Sequence, residues 1–288
     1  MKLTADMTLI DLLNAQCKKR SNQPFLIFED TKQDVTQYSY GEFLERVEKF
    51  SGALYERGIR KGDKVTLHLP NSAEFVVCWF ALAKLGAIMV PTNILSAAAE
   101  MDYLIGHSES VMLITESEYI DKFKSIRKNL PKLKRILLTR TDEAGEFESV
   151  NKMIAAFSGD SLEVDIQSED VAAILYTSGT TSKPKGCLIT HANYLYTGQA
   201  VAEHIGFTEQ DRALVVLPMF HGNGQYYMIM PSLVAGGSVA ITERFSASQY
   251  GRQVQRLGAT LGSLFAAPIR MILAQKYEED ELPEKFRR

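Results

Sequence analysis

The chain has 288 residues, of which 45% are hydrophobic and 23% are charged, and its formal net charge is −3 at neutral pH. These values are ordinary for a folded globular protein of one large or two smaller domains, and they exclude collagen-like, coiled-coil and wholly disordered chains. A charge this balanced lacks the basic field that sequence-independent nucleic-acid binding needs, so we expect no nucleic-acid partner.

Helical and extended patterns alternate along the chain. The predicted elements in chain order are a helix over 39–57, a strand over 64–69, a helix over 71–85, strands over 87–91 and 111–115, a helix across 118–130, strands over 136–139 and 171–177, a helix after Thr190, a strand over 213–217, a helix near 224–235, a strand over 238–241, a helix capped by Ser246 and Gln249, and a strand over 259–265. Ser39 with Glu42, and Asn71 with Glu74, have the spacing of helix N-terminal caps.

This regular alternation predicts an α/β fold with two doubly wound, mostly parallel sheets flanked by helices, because the strands are too many for one sheet. The chain becomes acidic and polar between Arg140 and Glu169. Such a stretch favours a domain boundary, so we predict a first α/β subdomain over 1–160 and a second over 161–288.

Cysteines and apolar segments indicate where the protein resides. Cys17, Cys78 and Cys187 form no C-x-x-C pair, which favours a reducing compartment over a disulfide or zinc framework. Asp6 and Asp11 interrupt the N-terminal stretch that a signal peptide would need to be apolar. The longest apolar runs fall short of the ~20 residues of a membrane-spanning helix. We expect a cytoplasmic protein without a transmembrane segment.

A loop rich in hydroxyls, glycines and lysines directly follows the strand over 171–177. Ligands of open α/β sheets bind beyond the carboxyl ends of strands, and hydroxyls, loop amides and lysine can surround phosphate oxygens. The candidate phosphate-binding residues are Thr177, Ser178, Gly179, Thr180, Thr181, Ser182, Lys183 and Lys185. The spacing of a P-loop is absent, as is G-x-G-x-x-G. On composition alone, a solvated turn is an equal alternative.

Residues 176–186, YTSGTTSKPKG, closely resemble the signature of the adenylate-forming (AMP-binding) superfamily, which includes acyl-CoA synthetases, peptide-synthetase adenylation domains and beetle luciferases. Ser182 replaces the usual glycine of that signature. The segments over 82–93, 217–224 and 259–273 resemble further family segments in the family's order. The closest branch looks like the carnitine/crotonobetaine–CoA ligases.

The resemblance implies an ATP-dependent acid–CoA ligase. Such an enzyme joins a small carboxylic acid to ATP, giving an acyl-adenylate and pyrophosphate, and then forms acyl-CoA and AMP with coenzyme A as co-substrate. By resemblance, Lys185 is a catalytic cation at the phosphates, Thr181 contacts Mg²⁺, and His221 is a catalytic residue at the acyl carboxylate beside Phe220. Segments 217–224 and 259–273 would wall the acyl pocket.

The remaining histidines, at 68, 107, 191 and 204, lack a family context, and we expect them to be structural or exposed. The stripe over 226–230 is expected to be helix core.

The same resemblance predicts that these 288 residues correspond to an incomplete N-terminal domain, with the family's Y-G-x-T-E segment and C-terminal lid domain absent. Little independent activity is then expected. Two alternatives stay open: a non-catalytic nucleotide- or acyl-binding remnant, and a different nucleotide enzyme such as a kinase. A homo-oligomer also stays open.

Overall fold

The computed structural model describes residues 3–177 and 183–275. The helices are α1 Leu9–Arg20, α2 Tyr40–Glu56, α3 Ala73–Lys84, α4 Ala98–Ser108, α5 Ile120–Ile126, α6 Val150–Ala156, α7 His191–Ile205, α8 Met230–Ala235, α9 Tyr250–Arg256 and α10 Ala266–Leu273. The strands are β1 Pro24–Glu29, β2 Val35–Ser39, β3 Lys64–Leu67, β4 Ile88–Pro91, β5 Met112–Thr115, β6 Arg135–Leu138, β7 Glu148–Ser149, β8 Val171–Thr177, β9 Lys185–Thr190, β10 Arg212–Val215, β11 Ser238–Thr242 and β12 Leu261–Gly262.

These strands form two sheets, which confirms the predicted α/β fold. One sheet has five strands in the order β12-β10-β11-β1-β2, and the other has seven in the order β7-β6-β5-β3-β4-β8-β9. Neighbouring strands are parallel except at β2 and β9, which pair antiparallel at one edge of each sheet. Both exceptions are the second strand of a hairpin, where the chain turns back on itself.

Sheet membership does not follow the predicted division of the chain at residue 160. The five-stranded sheet joins β1 and β2, from the start of the chain, to β10, β11 and β12. The seven-stranded sheet adds β8 and β9 to strands that precede residue 160. The acidic stretch that suggested a boundary contains β7 and α6, and it leads into β8 and β9 of the same sheet.

Helix α3 lies in the centre of the molecule. Every residue from Phe75 to Lys84 is buried, and Trp79 and Phe80 are fully enclosed. A helix that is apolar on all sides must be covered on all sides, and α3 contacts α2 together with strands of both sheets. The apolar run over 75–83, which is too short to span a membrane, is thus core, and no helix in the described ranges has the length and apolarity to cross a membrane.

Two predicted helix caps are wrong. Ser72 caps α3, since its Oγ accepts the Phe75 N–H at 3.2 Å, whereas the Asn71 side chain bonds to a distant loop. Helix α9 has no side-chain cap at Gln249, and Ser246 Oγ lies 3.4 Å from the hydroxyl of Ser248 instead. In both cases a polar side chain at the start of a helix can hydrogen-bond to more than one partner, and tertiary contacts determine which bond forms.

Tyr40 connects α2 to the five-stranded sheet through a buried hydrogen bond. Its hydroxyl donates to the Gly237 carbonyl at 2.6 Å, just before β11. We expect Tyr40→Phe to lower the free energy of unfolding by about 1–2 kcal/mol, because the carbonyl loses its donor while the ring still packs. Urea denaturation followed by circular dichroism measures this. Tyr55→Phe, at an exposed position of the same helix, is the control, and equal losses in both variants would refute the prediction.

Arg140 links the carboxyl ends of the two sheets. Its guanidinium lies 3.3 Å from Glu116, after β5, and 3.0 Å from Glu243, after β11. Burial raises the pKa of Glu116 to about 7, although Arg140 acts in the opposite direction. The folded protein therefore holds a proton that the unfolded chain, with an ordinary glutamate pKa of about 4.3, has already released.

The free energy of unfolding should consequently fall as the pH rises from about 4.5 to 7, and we expect Glu116 to contribute about 1–3 kcal/mol of this decrease. Glu116→Gln removes the titration, so the variant should lose less stability than the parent between pH 5 and pH 8 in urea denaturation. Glu163→Gln, at an exposed position whose charge does not act on Glu116, should keep the parent's dependence. An unchanged dependence in Glu116→Gln would contradict the assignment.

Candidate active site

The predicted phosphate loop joins β8 to β9 at the edge of the seven-stranded sheet. Thr177 and Lys185 face each other across this hairpin, and the Thr177 hydroxyl lies 3.5 Å from the Lys185 carbonyl. Both side chains are exposed, as is Lys183. The other predicted loop residues, Ser178, Gly179, Thr180, Thr181 and Ser182, lie outside the described residues. The described residues on either side of the loop thus place one hydroxyl, of Thr177, and two ammonium groups, of Lys183 and Lys185, at the base of the loop.

Helix α4 holds both stems of this hairpin, a contact that the sequence did not predict. The Tyr103 hydroxyl donates to the Pro184 carbonyl at 3.1 Å, and the Lys183 ammonium lies 4.9 Å from the centre of the Tyr103 ring. One turn later, His107 Nδ1 lies 2.7 Å from the Tyr176 hydroxyl. The only signal for this contact in the sequence was the spacing of Tyr103 and His107, which are four positions apart and therefore on one face of the helix.

The His221 turn follows β10, at the carboxyl end of the five-stranded sheet. The His221 N–H donates to the Pro218 carbonyl at 3.2 Å, and the imidazole packs 4.3 Å from the ring of Phe220. Desolvation by its surroundings lowers the pKa of His221 below its ordinary value, so the ring is neutral at pH 7. Within the described part of the chain nothing hydrogen-bonds to this imidazole, which leaves its ring N–H available to a ligand.

The segment after the turn is a π-helix over Asn223–Ile229, which continues into α8. The sequence predicted one ordinary α-helix near 224–235, whereas the structure has the wider turns of a π-helix in the first part of this segment. Met228 and Ile229 are buried, as expected for helix core, but Tyr227 is 48% exposed. π-Helical turns insert an extra residue and re-aim side chains, and they are frequent at functional sites.

Tyr226 brings the two candidate regions together. It stacks on Tyr194 of α7 at 5.1 Å and covers Gly222, where a Cβ would lie 2.7 Å from its ring. Burial, and secondarily the neighbouring thiol of Cys187 in β9, raise the pKa of Tyr226. One side chain therefore contacts the turn that carries His221 and lies near the strand that begins with Lys185.

Two cavities flank the segment from Pro218 to Tyr227. One, of about 510 Å³, lies between the ends of the two sheets, and its lining includes Asn93, Tyr119, Phe220 and Phe245. The other, of about 580 Å³, is lined by Tyr227, Met228, His204 and residues 261–264. The Asn223 amide donates to Ser263 Oγ at 3.0 Å and so joins the π-helix to the wall of the second cavity.

Two of the other histidines are buried in the core. His68 Nδ1 lies 2.9 Å from the Thr92 hydroxyl, and burial with the nearby Lys122 ammonium lowers the pKa of His68 to about 3. His191 Nδ1 accepts the Leu9 N–H at 3.3 Å, and burial lowers the pKa of His191 to about 4. Both are neutral structural groups at pH 7. His107, on α4, and His204, in a cavity wall, are exposed, which agrees with the expectation that they are structural or exposed.

The donor set of the hairpin fits an anionic ligand. Hydroxyl and ammonium groups donate to phosphate oxygens, whereas the described residues bring together no group of three or more His, Cys, Asp or Glu side chains that could hold a metal ion. Thr181, the predicted metal contact, is outside the described ranges.

The family of AMP-binding enzymes matches the chain over residues 13–287. The chain belongs to this family. A crotonobetaine/carnitine–CoA ligase of Salmonella paratyphi B is 35% identical over 255 residues, which are 87% of this chain and 49% of the relative. The chain therefore spans about half the length of the curated relatives it matches.

Solved structures share the fold. A long-chain-fatty-acid–CoA ligase from Archaeoglobus fulgidus superposes with a TM-score of 0.85 at 22% identity, covering 95% of this chain and 54% of that one. The o-succinylbenzoate–CoA synthetase of Bacillus subtilis, in complex with its acyl-adenylate intermediate, superposes with a TM-score of 0.80 at 25% identity, covering 99% and 53%. The predicted fold and family are confirmed.

Proposed function

We propose that the protein is, or forms part of, an ATP-dependent acid–CoA ligase of the cytoplasm. The observation that carries the proposal is the β8–β9 hairpin, whose signature-bearing loop starts and ends on residues that can donate to phosphate. Family membership supports the same reaction. A carboxylate attacks the α-phosphorus of ATP, pyrophosphate leaves, and the acyl-adenylate then passes its acyl group to the thiol of coenzyme A with release of AMP.

In the first step, Lys185 and the Thr177 hydroxyl stabilise the negative charge that builds up on the departing pyrophosphate. Lys183, which lies over the Tyr103 ring, contributes from farther away. Loop residues 178–182 would complete the phosphate contacts, with Thr181 toward the metal. Bound together with ATP, Mg²⁺ would supply further charge neutralisation.

The acid is proposed to enter the cavity of about 580 Å³ beside Tyr227 and Ser263. Its apolar and aromatic lining suits the body of a small carboxylic acid. Because the pKa of His221 is lowered, a neutral imidazole can donate its N–H to the carboxylate without forming a permanent ion pair. The carboxylate oxygen then stays nucleophilic toward ATP.

A betaine-type acid is the substrate class we favour. The relatives at 35% identity are named crotonobetaine/carnitine–CoA ligases, and such acids carry a quaternary ammonium group. The partly exposed Tyr227 ring in the cavity wall can attract that cation through its face.

The proposal is tested by ATP–pyrophosphate exchange with the purified 288-residue chain and pools of short, medium, aromatic and betaine-type carboxylates. Weak exchange that requires betaine-type acids is the expected result, because little independent activity is expected of these 288 residues. A full-length relative is the positive control, and acid-free samples give the background. Calorimetric titration with MgATP runs in parallel. ATP binding without exchange would favour a non-catalytic remnant, and ADP formation would favour a kinase.

A further inference from the structure

The backbone N–H and the backbone carbonyl of Met219 both take part in a buried network of side-chain hydrogen bonds. Asn71 Oδ1 accepts the Met219 N–H at 2.8 Å, and Gln225 Nε2 donates to the Met219 carbonyl at 2.6 Å. The Tyr194 hydroxyl donates to Gln225 Oε1 at 2.6 Å. The three side chains are at most 6% exposed. We call Asn71, Tyr194 and Gln225 the Met219 clamp.

Each amide of the clamp has one orientation that satisfies its neighbours. Gln225 must present its oxygen to Tyr194 and its nitrogen to Met219, since a hydroxyl donating to an amide oxygen fixes which end of the amide faces the carbonyl. Asn71 Nδ2 donates to the Leu217 carbonyl at 3.0 Å and is 3.3 Å from that of Thr242. A buried polar group without a partner is destabilising, so the clamp holds a single arrangement.

The Tyr194 ring is itself locked in place. It lies 4.9 Å from Trp79 in the central helix α3 and is stacked at 5.1 Å on Tyr226. Enclosure between two rings removes its rotational freedom, and the direction of its hydroxyl is thereby fixed.

The clamp connects three parts of the candidate site. Asn71 follows β3 of the seven-stranded sheet, and Gln225 belongs to the π-helix. Tyr194 lies in the first turn of α7, which begins where β9 of the phosphate hairpin ends. Met219 is two residues before His221 and lies within the turn that the hydrogen bond from the His221 N–H to the Pro218 carbonyl closes. The backbone of the turn is therefore fixed from both sheets and from the helix behind the hairpin.

We propose that Asn71, Tyr194 and Gln225 are positioning residues that set the place of His221 for the carboxylate of the acid. The expected effect on use of the acid rests on the proposed function. The expected effect on the backbone of the turn rests on the clamp geometry alone. Because none of the three needs to touch ATP, their loss should affect use of the acid and spare ATP.

The test variant is Tyr194→Phe, which removes one oxygen and keeps the ring. Gln225 Oε1 then loses its donor, and the amide can turn away from Met219. Tyr196→Phe is the matched control, because Tyr196 lies on the same helix and is 58% exposed. Hydrogen–deuterium exchange of the peptide over 217–224 reports the backbone, and ATP–pyrophosphate exchange reports the KM values for acid and ATP.

We expect Tyr194→Phe to speed amide exchange over 217–224 about tenfold and to raise the KM for the acid about five- to tenfold, with the KM for ATP within about twofold of the parent. Tyr196→Phe should match the parent in every measurement. If Tyr194→Phe does not fold, Gln225→Met, which removes both polar atoms of the amide, takes its place with the same readouts.

Unchanged amide exchange in a folded Tyr194→Phe protein would overturn the clamp. Faster amide exchange with an unchanged KM for the acid would show a structural role only and overturn the positioning role. A parent protein without pyrophosphate exchange with any acid would instead remove the proposed function, and the positioning role with it, while amide exchange would still show whether the clamp holds the turn.

Discussion

Replacing Lys185 with alanine should weaken MgATP binding about ten- to a hundredfold, because a hydrogen bond from a charged group to a phosphate is worth about 1.5–3 kcal/mol. Lys185 is exposed at the first position of β9, so its removal leaves no cavity in the core. Calorimetric titration with MgATP measures the change in Kd. Circular dichroism should show an unchanged fold.

Lys183→Ala is the matched control for Lys185→Ala. It lies two residues away on the same hairpin and removes the same charge, but its ammonium is directed over the Tyr103 ring at 4.9 Å. We expect a loss in ATP affinity of about threefold or less, in the range of an exposed charge. Equal losses of MgATP affinity in the two variants would mean that this affinity depends only on the net charge of the hairpin. The specific role of Lys185 would then be refuted.

His221→Ala should lower kcat/KM for the acid about ten- to a hundredfold and leave the Kd for MgATP within about twofold. The reason is the loss of a donor to the carboxylate, since a hydrogen bond to a charged group is worth about 1.5–3 kcal/mol and each 1.4 kcal/mol is about tenfold in rate. ATP–pyrophosphate exchange at varied acid and varied ATP separates the two effects.

His221→Asn is the companion variant, since its side-chain amide keeps an N–H donor near the same place. Partial recovery of acid use in His221→Asn would support the donor role. A selective loss of ATP affinity in His221→Ala, with the KM for the acid unchanged, would place this histidine on the nucleotide side and contradict the assignment.

Local signals in the sequence predicted local structure well. The apolar run over 171–177 is β8 with the same bounds, and Ser39 with Glu42 forms the capping box that its spacing indicated. Thr190 likewise precedes α7 as its cap. Such features depend on residues three or four positions apart, so the sequence contains the whole interaction.

Contacts between distant residues were not predictable in the same way. Asn71 has the spacing of a cap, yet its partner Met219 is 148 positions away. Tyr103 supports the phosphate hairpin across 81 positions. The π-helix overlaps an apolar stripe that also fits an ordinary helix, and the Tyr194–Gln225 hydrogen bond that accompanies it is a tertiary contact. For these features, the local sequence is compatible with more than one backbone conformation or hydrogen-bond partner, and tertiary packing determines which one forms.

The pairing of β1 with β11 sets an order of events during synthesis. Leu26 pairs with Val239, so β1 leaves the ribosome with its parallel neighbour still more than 200 residues from being made. At about 5–20 residues per second, that interval lasts about 10–40 s. Over this time β1, whose Phe25 and Leu26 make both of its faces apolar, has only β2 beside it in its own sheet. The nascent chain therefore passes through a period in which an apolar strand edge is open to other chains, and chaperone binding to the first 40 residues is the cellular event that this topology favours.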